Sequence, residues 1–202
     1  MGHRTVRAYS ADISAGSLML PESRRVAEVL LTLPDRDAWV QAIEQDNILQ
    51  KKSPASARRQ ARLIRKRLEQ LDGEGWRLIA EGERELALQM LLAAAIKHSQ
   101  LLDDFLREVV AGHVRRMEDV LSPKDWESFL ADCAQRDASV AEWSATTKAK
   151  LFQVILRILA EARYLQSTRS RKLTLPLLHP EVLRYLHGRS EGRVLAAMEP
   201  KP

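Results

Sequence analysis

The chain has 202 residues, 45% of them hydrophobic and 29% charged, with a net charge of +5 at neutral pH. That composition supports a substantial core and argues against wholesale disorder, while the sparse aromatics and abundant Leu, Ala, Arg and Glu favour helix over sheet. Cys133 is the only cysteine, which excludes an internal disulfide and fits a reducing, cytoplasmic setting.

Met1 to Ser10 has no apolar stretch of the kind a signal peptide needs. The most apolar run, Leu86 to Ile96, is about half the ~20 residues of a membrane span, so no membrane partner is expected. Charge is unevenly spread. From Asp72 to Glu142 there are 15 acids and 8 bases, a net of −7, and the remainder carries +12. If the two basic regions meet in space, the molecule has a basic and an acidic side.

Taken in order, Tyr9 to Met19 is a lead-in of small residues. Pro21 opens a helix through Leu33 with Val26, Leu30 and Leu33 at core spacing, and Pro34 stops it. Asp35 or Asp37 caps a second helix that turns Trp39, Ala42 and Ile43 inward and ends near Asn47. Ser53 to Leu71 reads as a helix with two unlike faces: Ser53 is the cap and Pro54 fits the first position. Ala57, Ala61, Ile64, Leu68 and Leu71 share one arc; Arg58, Arg59, Arg62, Arg65 and Lys66 share the opposite one, with no acid in the run before Glu69. Neighbouring like charges repel, so such an arc is costly unless an anion lies against it.

Asp72-Gly73-Glu74-Gly75 ends that helix, and Trp76 to Ala80 makes a short helical turn. Glu83 to His98 is the most apolar helix and the expected centre of the bundle. Leu101 to Asp119 continues the pattern, and Ser122-Pro123 starts another helix. Ser144 to Leu165 carries an apolar stripe of Leu151, Val154, Ile155, Ile158, Leu159 and Ala162, with Lys150, Gln153, Arg157 and Tyr164 on the other side. The basic loop Gln166 to Lys172 and a briefly alternating Leu173 to Leu178 suggest a wing-like hairpin near 166–178, and helices from Pro180 and Glu191 close the chain.

Catalysis finds no support. Phosphate-loop, dinucleotide, GxSxG and HExxH motifs are all absent. The histidines are scattered, so neither a metal nor a cofactor is expected. Asp103, Asp104 and Glu108 form the best carboxylate cluster, but Arg107 stands four residues after Asp103, the spacing of a helix salt bridge.

Binding is better supported. Lys148 to Lys172 holds seven bases against Glu161 alone. A helix followed by a basic loop is the layout in which a helix enters a DNA groove and the loop touches the backbone. Lys150, Gln153 and Arg157 are the groove candidates and Arg169, Arg171 and Lys172 the wing candidates. Arg58, Arg59, Arg62, Arg65 and Lys66 are the phosphate candidates on the earlier helix. Double-stranded DNA is preferred, since no exposed aromatic platform for single strands is evident.

The chain also resembles the BrxA family of BREX bacteriophage-exclusion systems, whose members were once catalogued as inner-membrane proteins. The likeness rests on Tyr9 to Gly16, Glu22-Ser23, Val26-Ala27, Trp39, Ala42-Ile43, Asn47 to Gln50 and Ala57-Arg58-Arg59. In the C-terminal half it rests on Asp125-Trp126, Trp143-Ser144, Lys150-Leu151 and Arg157 to Ala162. It implies a compact all-α protein similar in fold to NusB-like antitermination factors and associated with DNA binding. Such a protein would be a core component of a phage-defence operon, beside a methyltransferase, an ATPase and the other BREX components. No catalytic residues follow from it.

The expectation is therefore a single helical domain over 1–202, divisible into an N-terminal subdomain over 1–72 and a winged-helix-like subdomain over 122–202. It would bind duplex DNA as a monomer, without catalysis. A protein-interaction subunit is the alternative, and RNA binding by analogy with antitermination factors a third reading.

Overall fold

The computed structural model describes residues 8–200. Among them every regular element is helical. After a short 3₁₀ turn at Asp12–Ala15, α1 (Leu20–Leu31) opens with Pro21 in its first turn. Asp35 caps α2 (Arg36–Val40) by accepting the Ala38 N–H at 2.8 Å, and α2 runs on into a π-helical turn at Gln41–Gln45. Ser53 and Pro54 start α3 (Pro54–Leu68) as their chemistry predicts, and Asp72 caps α4 (Gly73–Ala80). Leu33 departs from expectation. The helix ends before it, because Pro34 disfavours helical backbone at the preceding residue, and Leu33 takes a left-handed φ of 50° and is 80% exposed.

At the centre lies α5 (Arg84–His98), buried on all sides from Leu86 to Ile96 as a helix without a polar face must be. α1, α3, α4, α10 (Pro180–Gly188), α11 (Gly192–Met198) and α6 (Gln100–Asp104) pack around it. The predicted helix over 101–119 is interrupted. Its middle, Phe105–Val110, is a π-helical turn between α6 and α7 (Ala111–Arg116), which shifts the buried face by the extra residue. Ser122 and Asp125 form a reciprocal capping box at the start of α8 (Pro123–Arg136), and Ser144 caps α9 (Ala145–Glu161). One contiguous apolar cluster runs from Tyr9 to Met198 and includes an aromatic knot of Phe105, Trp126 and Phe129.

The buried polar residue of α5 is Gln89. Its amide donates to the Leu177 carbonyl at 3.0 Å and accepts the His179 N–H at 2.7 Å, pinning the extended segment before α10 against the central helix. Gln89→Leu keeps the volume but strands both backbone groups. It is expected to cost about 2 kcal/mol in urea unfolding and to speed amide exchange selectively at residues 177–179.

Candidate nucleic-acid interface

On α3 the apolar arc is buried as expected, at Ala57, Ala61, Ile64 and Leu68, with Leu71 just beyond. The cationic arc is less bare than its sequence implies. Arg58 is exposed but meets Glu44, from the π turn, at 2.8 Å; Arg65 meets Glu69 at 2.7 Å; Lys66 lies 3.7 Å from Asp12. Arg59 and Arg62 are exposed and have no carboxylate within ion-pair distance among the described residues. Between α3 and the α2 end a groove of about 340 Å³ opens, with Ile43 and Ala61 beneath and Arg58, Arg62 and Lys66 along one wall. Trp39 lies on the other wall, half-buried, with the Arg65 guanidinium 4.5 Å above its ring. Trp39 packs against the core as the sequence implies but stays half-exposed, because its helix is too short to bury a full face.

On α9 the two faces separate as predicted. Leu151, Val154, Ile155, Ile158 and Leu159 are buried, and Lys150, Gln153 and Arg157 form an exposed stripe along its length. Lys150 and Arg157 have no carboxylate within ion-pair distance among the described residues. Tyr164 does not join that stripe. Arg163, at φ 63°, turns the chain, and Tyr164 swings into the core to donate its hydroxyl to the Met198 carbonyl at 2.5 Å.

The basic loop that follows is a small hairpin. Leu165 pairs antiparallel with Leu173, Gln166 N–H donates to the Lys172 carbonyl at 2.8 Å, and Thr174 N–H donates to the Tyr164 carbonyl at 3.1 Å. Its other side is braced by residues 119–121: Leu121 N–H donates to the Arg171 carbonyl at 3.0 Å and Leu173 N–H to that of Asp119 at 2.7 Å. The pairing is made of single bridges and ends at Thr174, short of the predicted 178, because the segment beyond is drawn to Gln89. Arg169 and Arg171 at the hairpin carry no ion-pair partner among the described residues, while Lys172 lies 3.3 Å from Asp119.

The two basic elements converge on one stretch of chain. The Asp12–Ala15 turn packs on both α3 and α9. Just after it, buried Arg67 of α3 donates to the Ser17 and Gly16 carbonyls at 2.5 and 2.9 Å, and Glu161 of α9 accepts from Ser17 Oγ and Leu18 N–H at 2.7 and 2.8 Å.

The carboxylate cluster is occupied by cations. Asp103 and Asp104 are buried, and Arg107 and Arg193 reach both; Glu108 is held by Arg136 at 2.6 Å. His113 is buried between the turn before residues 119–121 and the start of α8, with Nδ1 3.3 Å from Glu118 and Nε2 3.2 Å from Asp125 but neither nitrogen in hydrogen-bond geometry. Among the described residues no group of His, Cys, Asp and Glu has the arrangement of a metal site. No helix among them is long and apolar enough to cross a membrane.

These observations define an all-helical protein with a cationic helix and hairpin and a second cationic helix, the two helices both packed on the Asp12–Ala15 turn. The chain belongs to the BrxA family, which it matches over residues 7–190. It is 40% identical over 191 residues to the BREX protein BrxA of Paramagnetospirillum magneticum, covering 95% of this chain and 96% of that one. It is 36% identical over 195 residues to the BREX protein BrxA of Escherichia coli O9:H4, covering 96% and 92%. A crystal structure of a protein from Magnetospirillum magneticum is similar throughout, with a TM-score of 0.88 at 38% identity over 96% of this chain and 100% of that one.

Proposed function

We propose that this protein binds double-stranded DNA through α9 and the hairpin after it, with α3 as a second phosphate contact, and performs no chemistry on the DNA. It would act as a monomer in the cytoplasm, beside the other components of a BREX defence system. The observation that carries the reading is the exposed stripe Lys150, Gln153 and Arg157, which leads into Arg169 and Arg171 and whose cations have no carboxylate partner among the described residues. An α-helix about 10–12 Å across fits a major groove about 12 Å wide, and a hairpin at its end is placed to meet backbone phosphates. Family membership supports the defence setting, since the relatives that match the whole chain are BREX proteins.

A mobility-shift titration of a mixed-sequence duplex across salt tests this. Affinity should fall linearly on a log–log plot, with a slope of about −0.9 per phosphate neutralised. The pair Arg157→Gln and Arg169→Gln should flatten the slope by about 1.8, and Arg59→Gln with Arg62→Gln by a similar amount. Binding that ignores salt, or that survives all four substitutions, sinks the assignment. Preferential displacement by structured RNA transfers it to RNA.

A further inference from the structure

The groove between α2 and α3 sets an aromatic ring beside a single gap in the charge pattern. Arg62 stands one helical turn from Arg58 and one from Lys66. The outer two already face Glu44 and Asp12, whereas Arg62 faces no carboxylate among the described residues. An anion seated at Arg62 meets an unneutralised charge, with the exposed cations Arg58 and Lys66 on either side. On the opposite wall Val40 is exposed, and the Arg65 guanidinium lies 4.5 Å over the half-exposed Trp39 ring, two groups of the kinds on which nucleobases stack.

Size and acid placement narrow the ligand. The volume of about 340 Å³ is at the low end for small-molecule sites, enough for one nucleotide. A docked helix, about 10 Å across, needs far more. Glu44 and Glu69 also line the groove, paired to Arg58 and Arg65. They would repel a continuous acidic peptide while leaving the position at Arg62 open to one phosphate.

We propose that this groove binds a single nucleoside 5′-phosphate, free or as an unpaired strand end, with its phosphate at Arg62 between Arg58 and Lys66 and its base against the Trp39–Arg65 stack. The proposal rests on the nucleic-acid reading of α3 but needs no duplex.

Calorimetry of the full chain with dAMP, deoxyadenosine and inorganic phosphate tests it. dAMP should bind at least about tenfold more tightly than either fragment. Trp39→Ala should weaken dAMP about tenfold and Trp39→Phe much less, with blunt-duplex binding unchanged in both. A DNA hairpin bearing one unpaired 5′-phosphorylated nucleotide that outbinds the blunt hairpin assigns the strand end; equal hairpins with tight dAMP assign the free nucleotide. The pocket is overturned if dAMP binds no better than phosphate, if both tryptophan variants match the parent, or if only an acidic peptide with one aromatic residue binds. Salt-sensitive binding of the blunt duplex then leaves the duplex reading standing, and its loss as well removes both.

Discussion

Replacing Asp104 by alanine is expected to destabilise the protein by about 3 kcal/mol, lowering the melting temperature by about 6–12 °C for a chain of this size. Asp104 is 1% exposed and accepts the Tyr9 hydroxyl at 2.8 Å and Arg107 at 2.9 Å, with Arg193 at 3.5 Å and Arg136 at 3.6 Å. Removing it leaves a buried hydroxyl without an acceptor and withdraws a shared anion from three guanidinium groups. The cost stays at the lower end for broken buried pairs because those arginines are partly solvated and retain Asp103 or Glu108. Tyr9 also donates its backbone N–H to Asp137 at 2.8 Å, so the loss reaches the anchoring of the N-terminal segment on the end of α8.

The same group sets a pH dependence. Burial alone would raise the Asp104 carboxyl, but the nearby Gln100 amide, hydrogen bonds from Tyr9 and Arg107, and the Arg107 charge outweigh it and hold the carboxyl below its ordinary 3.8. A carboxyl depressed in the folded state stabilises fully above its unfolded value and loses that contribution as pH falls through the folded one. Unfolding free energy should therefore hold above about pH 5 and decline below about pH 4. Asp104→Asn should show a shallower decline, measured by urea unfolding at each pH. An unchanged profile would remove Asp104 from the account.

Much of the fold was legible because its punctuation is chemical and local. Ser53-Pro54, Ser122-Pro123 with Asp125, and Ser144 start helices by satisfying the free N–H groups of a first turn, and each does so in the structure. The unbroken apolar run of α5 could lie only in the middle. What could not be read came from distant contacts. Both π turns displace side chains by a residue in ways no period anticipates, and Leu33 and Tyr164 end up on the opposite side from their assigned arcs. The charge of α3 was misjudged for the same reason. A helical wheel shows Glu69 but not Glu44, fourteen positions away, nor Asp12. α9 keeps its exposed stripe, apart from Tyr164, because no distant acid reaches Lys150 or Arg157 among the described residues.

Glu161 shows how far one residue's meaning depends on such contacts, and Glu161→Ala is expected to cost about 2 kcal/mol. In sequence it is the lone acid of a basic stretch; in the structure it caps Ser17 and Leu18 and faces the Arg67 cation across the same segment. Arg67 is 3% exposed, and burial lowers its guanidinium to about 10, with Glu161 pulling the other way, so it stays charged at neutral pH. Alanine at 161 leaves the Leu18 N–H and the Ser17 hydroxyl without their acceptor and withdraws the negative charge that favours the buried Arg67 cation, with which it makes no direct ion pair among the described residues. A cycle of Glu161→Gln and Arg67→Met in urea unfolding should return a coupling above about 1 kcal/mol. Strict additivity would mean that each residue grips residues 16–18 independently. Because that segment follows the turn packed on both α3 and α9, the coupling has a functional reading. Glu161→Gln should weaken duplex binding by loosening the two cationic elements relative to each other, while leaving the salt slope intact, since no phosphate contact is removed.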